Sequence, residues 1–175
     1  MSRNSRQQLY IGNKPLKMVE KCKYLGHIMC NNLSDNEDIQ RQIRSLYVNA
    51  NMLTRKFNFC SSHVKILLFK MYCTSLYCSS LWCNYTKGMI NRIRVAYNNS
   101  LRLLLGLPRC SSASQMFSEC AILNFDCNLR KHRGNLLNRL SCSSNTYVNC
   151  LTSVDRVITS KLLNTIHRDL YTIYM

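Results

Sequence analysis

Ser34-Asp35-Asn36-Glu37-Asp38-Ile39 marks the point at which the chain changes its hydrophobic period. From there Ile39, Ile43, Leu46, Ala50, Leu53 and Phe57 recur at alternating steps of four and three residues. Such spacing lines one face of a 3.6-residue period and predicts a helix over 35–57. Ser34 with Glu37 three residues on is a capping-box pattern, in which the serine oxygen and the glutamate carboxylate satisfy amides left orphaned by the first turn.

Upstream, the pattern is that of short strands. Leu9-Tyr10-Ile11, turn chemistry at Gly12-Asn13-Lys14-Pro15, then Leu16 to Val19 predict a β-hairpin. Tyr24 to Met29 predicts a third strand, with Gly26 marking a bulge or a close backbone approach.

Downstream, Ser61 or Ser62 can cap a second helix whose stripe is Val64, Leu68, Met71, Ser75, Ser79 and Trp82. A third carries Met89, Ile93, Ala96, Tyr97, Ser100 and Leu104 and stops at Gly106 and Pro108, a left-handed cap followed by a residue that forbids continuation. Ser112-Ala113-Ser114-Gln115 repeats the capping pattern for a short fourth helix. Leu129, Leu136, Leu137 and Leu140 predict a fifth over 126–140, Ser141 to Asn145 a polar loop, and Val154 to Leu170 a last helix. The expected fold class is α+β, mostly α: N-terminal strands followed by a bundle of five to six helices. The expected divisions are a strand region over 1–32, a basic helical bundle over 33–110 and a helical extension over 111–175, all within one structural unit.

Composition agrees with long elements and few turns, since five Gly and two Pro in 175 residues fall far below the usual combined share of roughly 12%. No segment has the apolar core of a secretory signal, and the longest strictly apolar runs, such as Ile66 to Phe69, are far short of the roughly 20 residues that span a bilayer. An intracellular, non-membrane chain is expected, with its eleven cysteines as free, mostly packed thiols in a reducing compartment.

Twenty-four Lys and Arg against eight Asp and Glu leave a net charge of +16, which favours a polyanionic partner. The charge is concentrated: no acid lies between Asp38 and Glu119, a stretch holding Arg41, Arg44, Arg55, Lys56, Lys65, Lys70, Lys87, Arg92, Arg94, Arg102 and Arg109. A solvated face normally mixes signs. On a helical wheel with Ile93 at zero, Arg94, Arg102 and Arg92 fall at about 100°, 180° and 260°, opposite the apolar stripe. Cations on a rigid face suit a phosphate backbone. Tyr47, Tyr72, Tyr77, Trp82, Tyr85 and Tyr97 are interleaved with them, able either to pack in a core or to stack on bases.

Catalytic chemistry is not legible. No two cysteines are separated by two residues, and Cys73, Cys78 and Cys83 step by five, which would scatter them around a helix; His27 with Cys22 and Cys30, or Cys127 with His132, lacks a tetrahedral set, so no metal site is expected. The acid cluster Asp35, Glu37 and Asp38 has the residue types of a two-metal carboxylate site, but it sits in a first helical turn, where negative charge offsets the helix dipole, and that structural reading is preferred.

Lys23-Tyr24-Leu25-Gly26-His27-Ile28, preceded by a hairpin and followed by an acidic helix start, resembles the segment just after the catalytic palm motifs of non-LTR (LINE-like) retrotransposon reverse transcriptases. The similarity continues through Ala50-Asn51-Met52-Leu53, Leu68-Phe69-Lys70, Leu81-Trp82-Cys83-Asn84-Tyr85, Ala96-Tyr97-Asn98-Asn99 and Leu104-Leu105-Gly106-Leu107-Pro108-Arg109, in that order. This resemblance implies a piece of an RNA-directed DNA polymerase. Tyr24, Leu25 and Gly26 would correspond to the primer-grip hairpin, and the helices from Asp35 to Leu105 to the thumb that holds the template-primer duplex by its backbone. It implies RNA or RNA–DNA duplex as a non-specific partner, contacted by Arg41, Arg44, Arg55, Lys56, Lys70, Arg92, Arg94, Arg102 and Arg109. The family's Mg²⁺ is held by palm aspartates, typically in a Tyr-x-Asp-Asp turn ahead of the primer grip. Upstream of Tyr24 there is no aspartate here, and Glu20 is the one acid. The expectation is therefore a fragment that is inactive alone, with no cofactor of its own and with the parent polymerase's palm and fingers missing. The alternative is a structural remnant or helical interaction module of a transposon-derived gene.

Overall fold

The computed structural model describes residues 9–154. Among them the fold is α+β and mostly α: two short antiparallel strand pairs precede six helices. The strands are β1 (Tyr10–Ile11), β2 (Lys14–Pro15), β3 (Lys21–Tyr24) and β4 (His27–Cys30). The helices are α1 (Asn36–Lys56), α2 (Ser62–Tyr72), α3 (Lys87–Leu105), α4 (Ala113–Glu119), α5 (Phe125–Ser141) and α6 (Thr146–Val154).

The first hairpin pairs Tyr10 with Pro15 and Ile11 with Lys14 around Gly12-Asn13, so its second strand lies earlier than the expected Leu16 to Val19. The segment read as one strand from Tyr24 to Met29 is instead the tip of a second hairpin, in which Tyr24 pairs with His27 and Lys21 with Cys30. Leu25 (φ 45°) and Gly26 (φ 83°) are both left-handed. Two positive φ angles at a two-residue tip match the right-handed twist of the flanking strands. Alternation of apolar residues concealed this turn, because Leu25 is not a typical turn residue. Gly26 is thus no bulge, but the close approach is real: a Cβ there would lie 3.0 Å from the Tyr77 ring.

α1 buries the predicted stripe of Ile39, Ile43, Leu46, Ala50 and Leu53. Its N-terminus departs from the capping box: Asp35 is the N-cap, and Glu37 pairs with Lys21 at 3.5 Å. α2 ends ten residues before the predicted Trp82. After Cys73 the chain turns through left-handed Leu76 and Cys78 into a single 3-10 turn at Ser79–Leu81. The stop has local and distant causes. Thr74 bonds back to the Lys70 carbonyl at 2.6 Å, and side chains from other helices take neighbouring carbonyls, Asn49 at Tyr72 (2.9 Å) and Asn128 at Thr74 (2.7 Å). The buried face is accordingly Phe69 and Cys73, whereas Val64 and Met71 are exposed.

α3 keeps its predicted face and its end: Gly106 at φ 70° lets the Leu107 amide reach back to the Arg102 carbonyl at 2.9 Å. Ser112 caps α4, though Gln115 bonds forward to Glu119 instead of back, leaving half of the expected box. Asn124 caps α5, and Asn145 ends the polar loop by capping α6, which begins earlier than the predicted last helix. The rest of that prediction, beyond residue 154, lies outside the described residues.

One apolar cluster unites α1 to α5. Its centre is Tyr97, whose ring meets Phe69 (5.3 Å), Phe117 (5.6 Å) and Phe125 (6.0 Å), and whose hydroxyl donates to the Leu123 carbonyl. Edge and offset ring pairs of this kind add to area burial. No helix among the described residues is long and apolar enough to cross a membrane. The expectation of mostly packed thiols is overturned: all eleven cysteines are free, but only Cys73 is buried, because most others fall on strands, helix ends and loops.

Candidate nucleic-acid interface

The tip Tyr24-Leu25-Gly26 projects from the helices with Tyr24 and Leu25 exposed. Two anchors fasten it. Tyr77 donates its hydroxyl to the Leu25 carbonyl at 2.6 Å while its ring covers Gly26. Beneath lies Asp38, fully buried near the start of α1. Its Oδ1 accepts from the Ile28 amide (3.1 Å) and Arg41 Nε (2.8 Å), and its Oδ2 from Trp82 Nε1 (2.9 Å). His27 Nδ1 stands 3.1 Å from Oδ2 without hydrogen-bond alignment. Burial would raise the Asp38 carboxyl; hydrogen bonds from Arg41, Trp82 and Ile28 outweigh it and hold the pKa below the usual 3.8. One carboxylate thereby ties β4, α1 and the segment before α3.

The same segment is fixed from the other side by Arg133 of α5, fully buried, which donates to the Trp82 carbonyl (2.9 Å) and the Tyr85 hydroxyl (3.1 Å) and lies over the Tyr85 ring. Neither Asp38 nor Arg133 stood out in the sequence as an anchor. The signal that could have found Asp38 is its place beside Ile39 at the edge of the apolar stripe.

The three acids therefore serve separate structural purposes. Asp35 accepts from the Cys83 and Asn84 amides, Glu37 meets Lys21, and Asp38 is the anchor. The dipole reading is thus incomplete for Asp38, which sits in the first turn but acts through distant partners. Among the described residues no three His, Cys, Asp or Glu side chains are grouped to hold a metal.

The predicted cations divide into two sets. Arg94 clasps Asp126 through Nε and Nη2 (2.9–3.3 Å), and Arg102 takes the Ser111 carbonyl (2.8 Å) and Asn99 (3.0 Å). Arg41 bonds Asp38 and lies over the Tyr77 ring. These three are occupied internally. Arg44, Arg55, Lys56, Lys70, Arg92 and Arg109 are exposed, as is Lys87. Arg55, Lys56 and Lys70 close the last turns of α1 and α2, where positive charge also suits the helix dipole. Arg44 and Arg92 have no such role. Arg44, Val48, Asn51 and Arg55 are all exposed at steps of four, three and four, so they share one face of α1.

The aromatic residues divide likewise. Trp82 and Tyr97 are core, Tyr85 and Tyr77 are engaged by arginines, and Tyr47 and Tyr72 are exposed. Tyr47, Ile43, Asn91, Arg92 and Val95 line a cleft of about 350 Å³ along the seam of α1 and α3.

No protein-family model, curated protein or solved structure matches the chain.

Proposed function

We propose that this chain is a nucleic-acid-binding helical unit, the thumb and primer-grip piece of a non-LTR retrotransposon reverse transcriptase, which holds RNA or RNA–DNA duplex through its backbone without reading sequence. One observation carries the reading: a stretch of helices free of acids between Asp38 and Glu119 keeps Arg44, Arg55, Lys56, Lys70, Lys87, Arg92 and Arg109 exposed. Phosphate contacts position a protein on a duplex and carry no sequence information. The Tyr24-Leu25-Gly26 tip, fastened by Asp38 of α1 and by Tyr77 of the connection after α2, supports the primer-grip part of the reading. In this reading nucleotide transfer belongs to the palm of the parent polymerase, and the chain alone extends no primer.

The division of the arginines chooses the variants. Binding of an RNA–DNA hybrid duplex, followed by fluorescence anisotropy from low to high salt, should weaken steeply with salt. Replacing Arg44, Arg55 and Arg92 together by Ser should lower the salt slope by about three while the fold persists. Affinity no greater than that of an unrelated basic protein of equal charge, or a slope unchanged by the triple variant, would instead favour an interaction module that does not bind nucleic acid.

A further inference from the structure

We infer that the cleft between α1 and α3, walled by Tyr47 and Arg92, accepts one unpaired nucleobase of a single-stranded nucleic acid. The inference rests on the nucleic-acid reading above and adds to backbone contact a second mode of binding. The cleft's volume of about 350 Å³ lies near the lower end of the roughly 300–1,000 Å³ of small-ligand sites. Its walls offer a planar group with what a base and its phosphate require. Ile43, 7% exposed, joins the cleft to the core, and Val95 supplies a second apolar contact. Tyr47 is 39% exposed, and among the described residues its ring makes no ring–ring or ring–cation contact. An aromatic face left open beside an exposed guanidinium suits stacking, since every base has a π-face and arginine's planar fork stacks as well as pairs.

Apart from the Tyr47 hydroxyl, which can donate or accept, the polar groups suit an acceptor-rich ligand. Asn91 spends its side-chain oxygen on Arg94, so its remaining amide group is a donor. Arg92 donates only, and no carboxylate lines the cleft. Base carbonyls, ring nitrogens and phosphate oxygens are acceptors. Arg44, one turn before Tyr47 on α1 and exposed, places a further cation beside the mouth for the flanking phosphate. Charge complementarity thus selects a nucleic acid over an apolar peptide, which would leave these donors unpaired.

The test uses the full chain with two probes: a twelve-nucleotide DNA single strand containing one central 2-aminopurine, and a blunt twelve-base-pair duplex. Stacking on Tyr47 should quench the 2-aminopurine, and Tyr47→Ala should weaken single-strand binding about tenfold and abolish the quenching while duplex affinity and its salt slope stay unchanged. Tyr47→Phe should retain the signal. Val95→Glu, a second exposed site in the cleft, should reproduce the loss. Single-strand affinity and quenching that survive both Tyr47→Ala and Val95→Glu would overturn the inference while leaving the backbone reading intact. Failure of the wild-type chain to bind either probe in a salt-dependent way would overturn both.

Discussion

Trp82 donates its indole N–H to Asp38 across 2.9 Å, between two fully buried side chains 44 residues apart in sequence. The bond joins the start of α1 to the segment that leads into α3, and through the same carboxylate to the second hairpin. Removing one partner of a buried ionic network leaves the others desolvated and unpaired. Asp38→Ala should therefore cost about 3–5 kcal/mol of unfolding free energy. Its neighbour Glu37, exposed in its pair with Lys21, should cost less than about 1 kcal/mol on mutation to Gln. Urea unfolding followed by circular dichroism checks both, and equal losses would remove Asp38 from its central place.

Acid should find the same carboxylate. The Asp38 pKa is lowered in the fold, so the unfolded chain binds the proton more readily. Its contribution to stability is therefore complete above the unfolded value near 3.8 and declines as pH falls through the lower folded value. Arg41 from α1, Trp82 from the segment before α3 and the Ile28 amide from the hairpin face the group and hold its charge in place. Stability measured from pH 6 down to pH 2 should fall below about pH 4, and Asp38→Asn should flatten that limb. A wild-type curve parallel to the variant's would contradict the linkage.

The hairpin tip allows a test by opposite signs. Leu25 holds a left-handed conformation that costs an L-residue about 1–2 kcal/mol, and its side chain is 74% exposed. Leu25→Gly should therefore raise stability, by up to about 1 kcal/mol, while keeping the carbonyl that Tyr77 grips. Gly26→Ala should lower it by about 1–3 kcal/mol, because the backbone is left-handed and the new methyl would stand 3.0 Å from the Tyr77 ring. Thermal unfolding of the two variants compares them directly.

These anchors explain what could be read in advance. Ile39 to Leu53 and Ile93 to Leu104 announced their helices because burial of a stripe is a local pattern with a fixed period. Gly106 announced the end of α3 because its requirement is local as well. The end of α2 was hidden, since Asn49 reaches its last carbonyl, at Tyr72, and Asn128 the Thr74 carbonyl just beyond it, both from distant positions. The cation site was half legible. Net charge located the basic stretch, but only the positions of Asp126 and Ser111 show that Arg94 and Arg102 are engaged internally and Arg92 is not.

Thiol chemistry should separate Cys73 from the rest. Burial pushes its thiol up to about 12, from an ordinary value of 9.0, which leaves about a thousandfold less thiolate at pH 8. Cys22, Cys110 and Cys142 are exposed. Brief iodoacetamide treatment of the folded chain should alkylate those three and spare Cys73, as read by peptide mass spectrometry. Modification of Cys73 at the same rate would mean that the core between α2 and α3 opens readily.

The arginines of α3 should part company in stability. Arg94 grips Asp126 with two nitrogens, joining α3 to the first turn of α5. Arg102 holds the Ser111 carbonyl just ahead of α4. Both groups are only half-buried, so solvent screens them, and each should be worth about 1 kcal/mol on replacement by Ala. Arg92, exposed and on the opposite side of the wheel from Arg94, should cost almost nothing. Chemical unfolding of the three single variants gives the order directly. If Arg92→Ala proved as costly as Arg94→Ala, the exposed cations would belong to the fold, and the reason for assigning them to a polyanion would disappear.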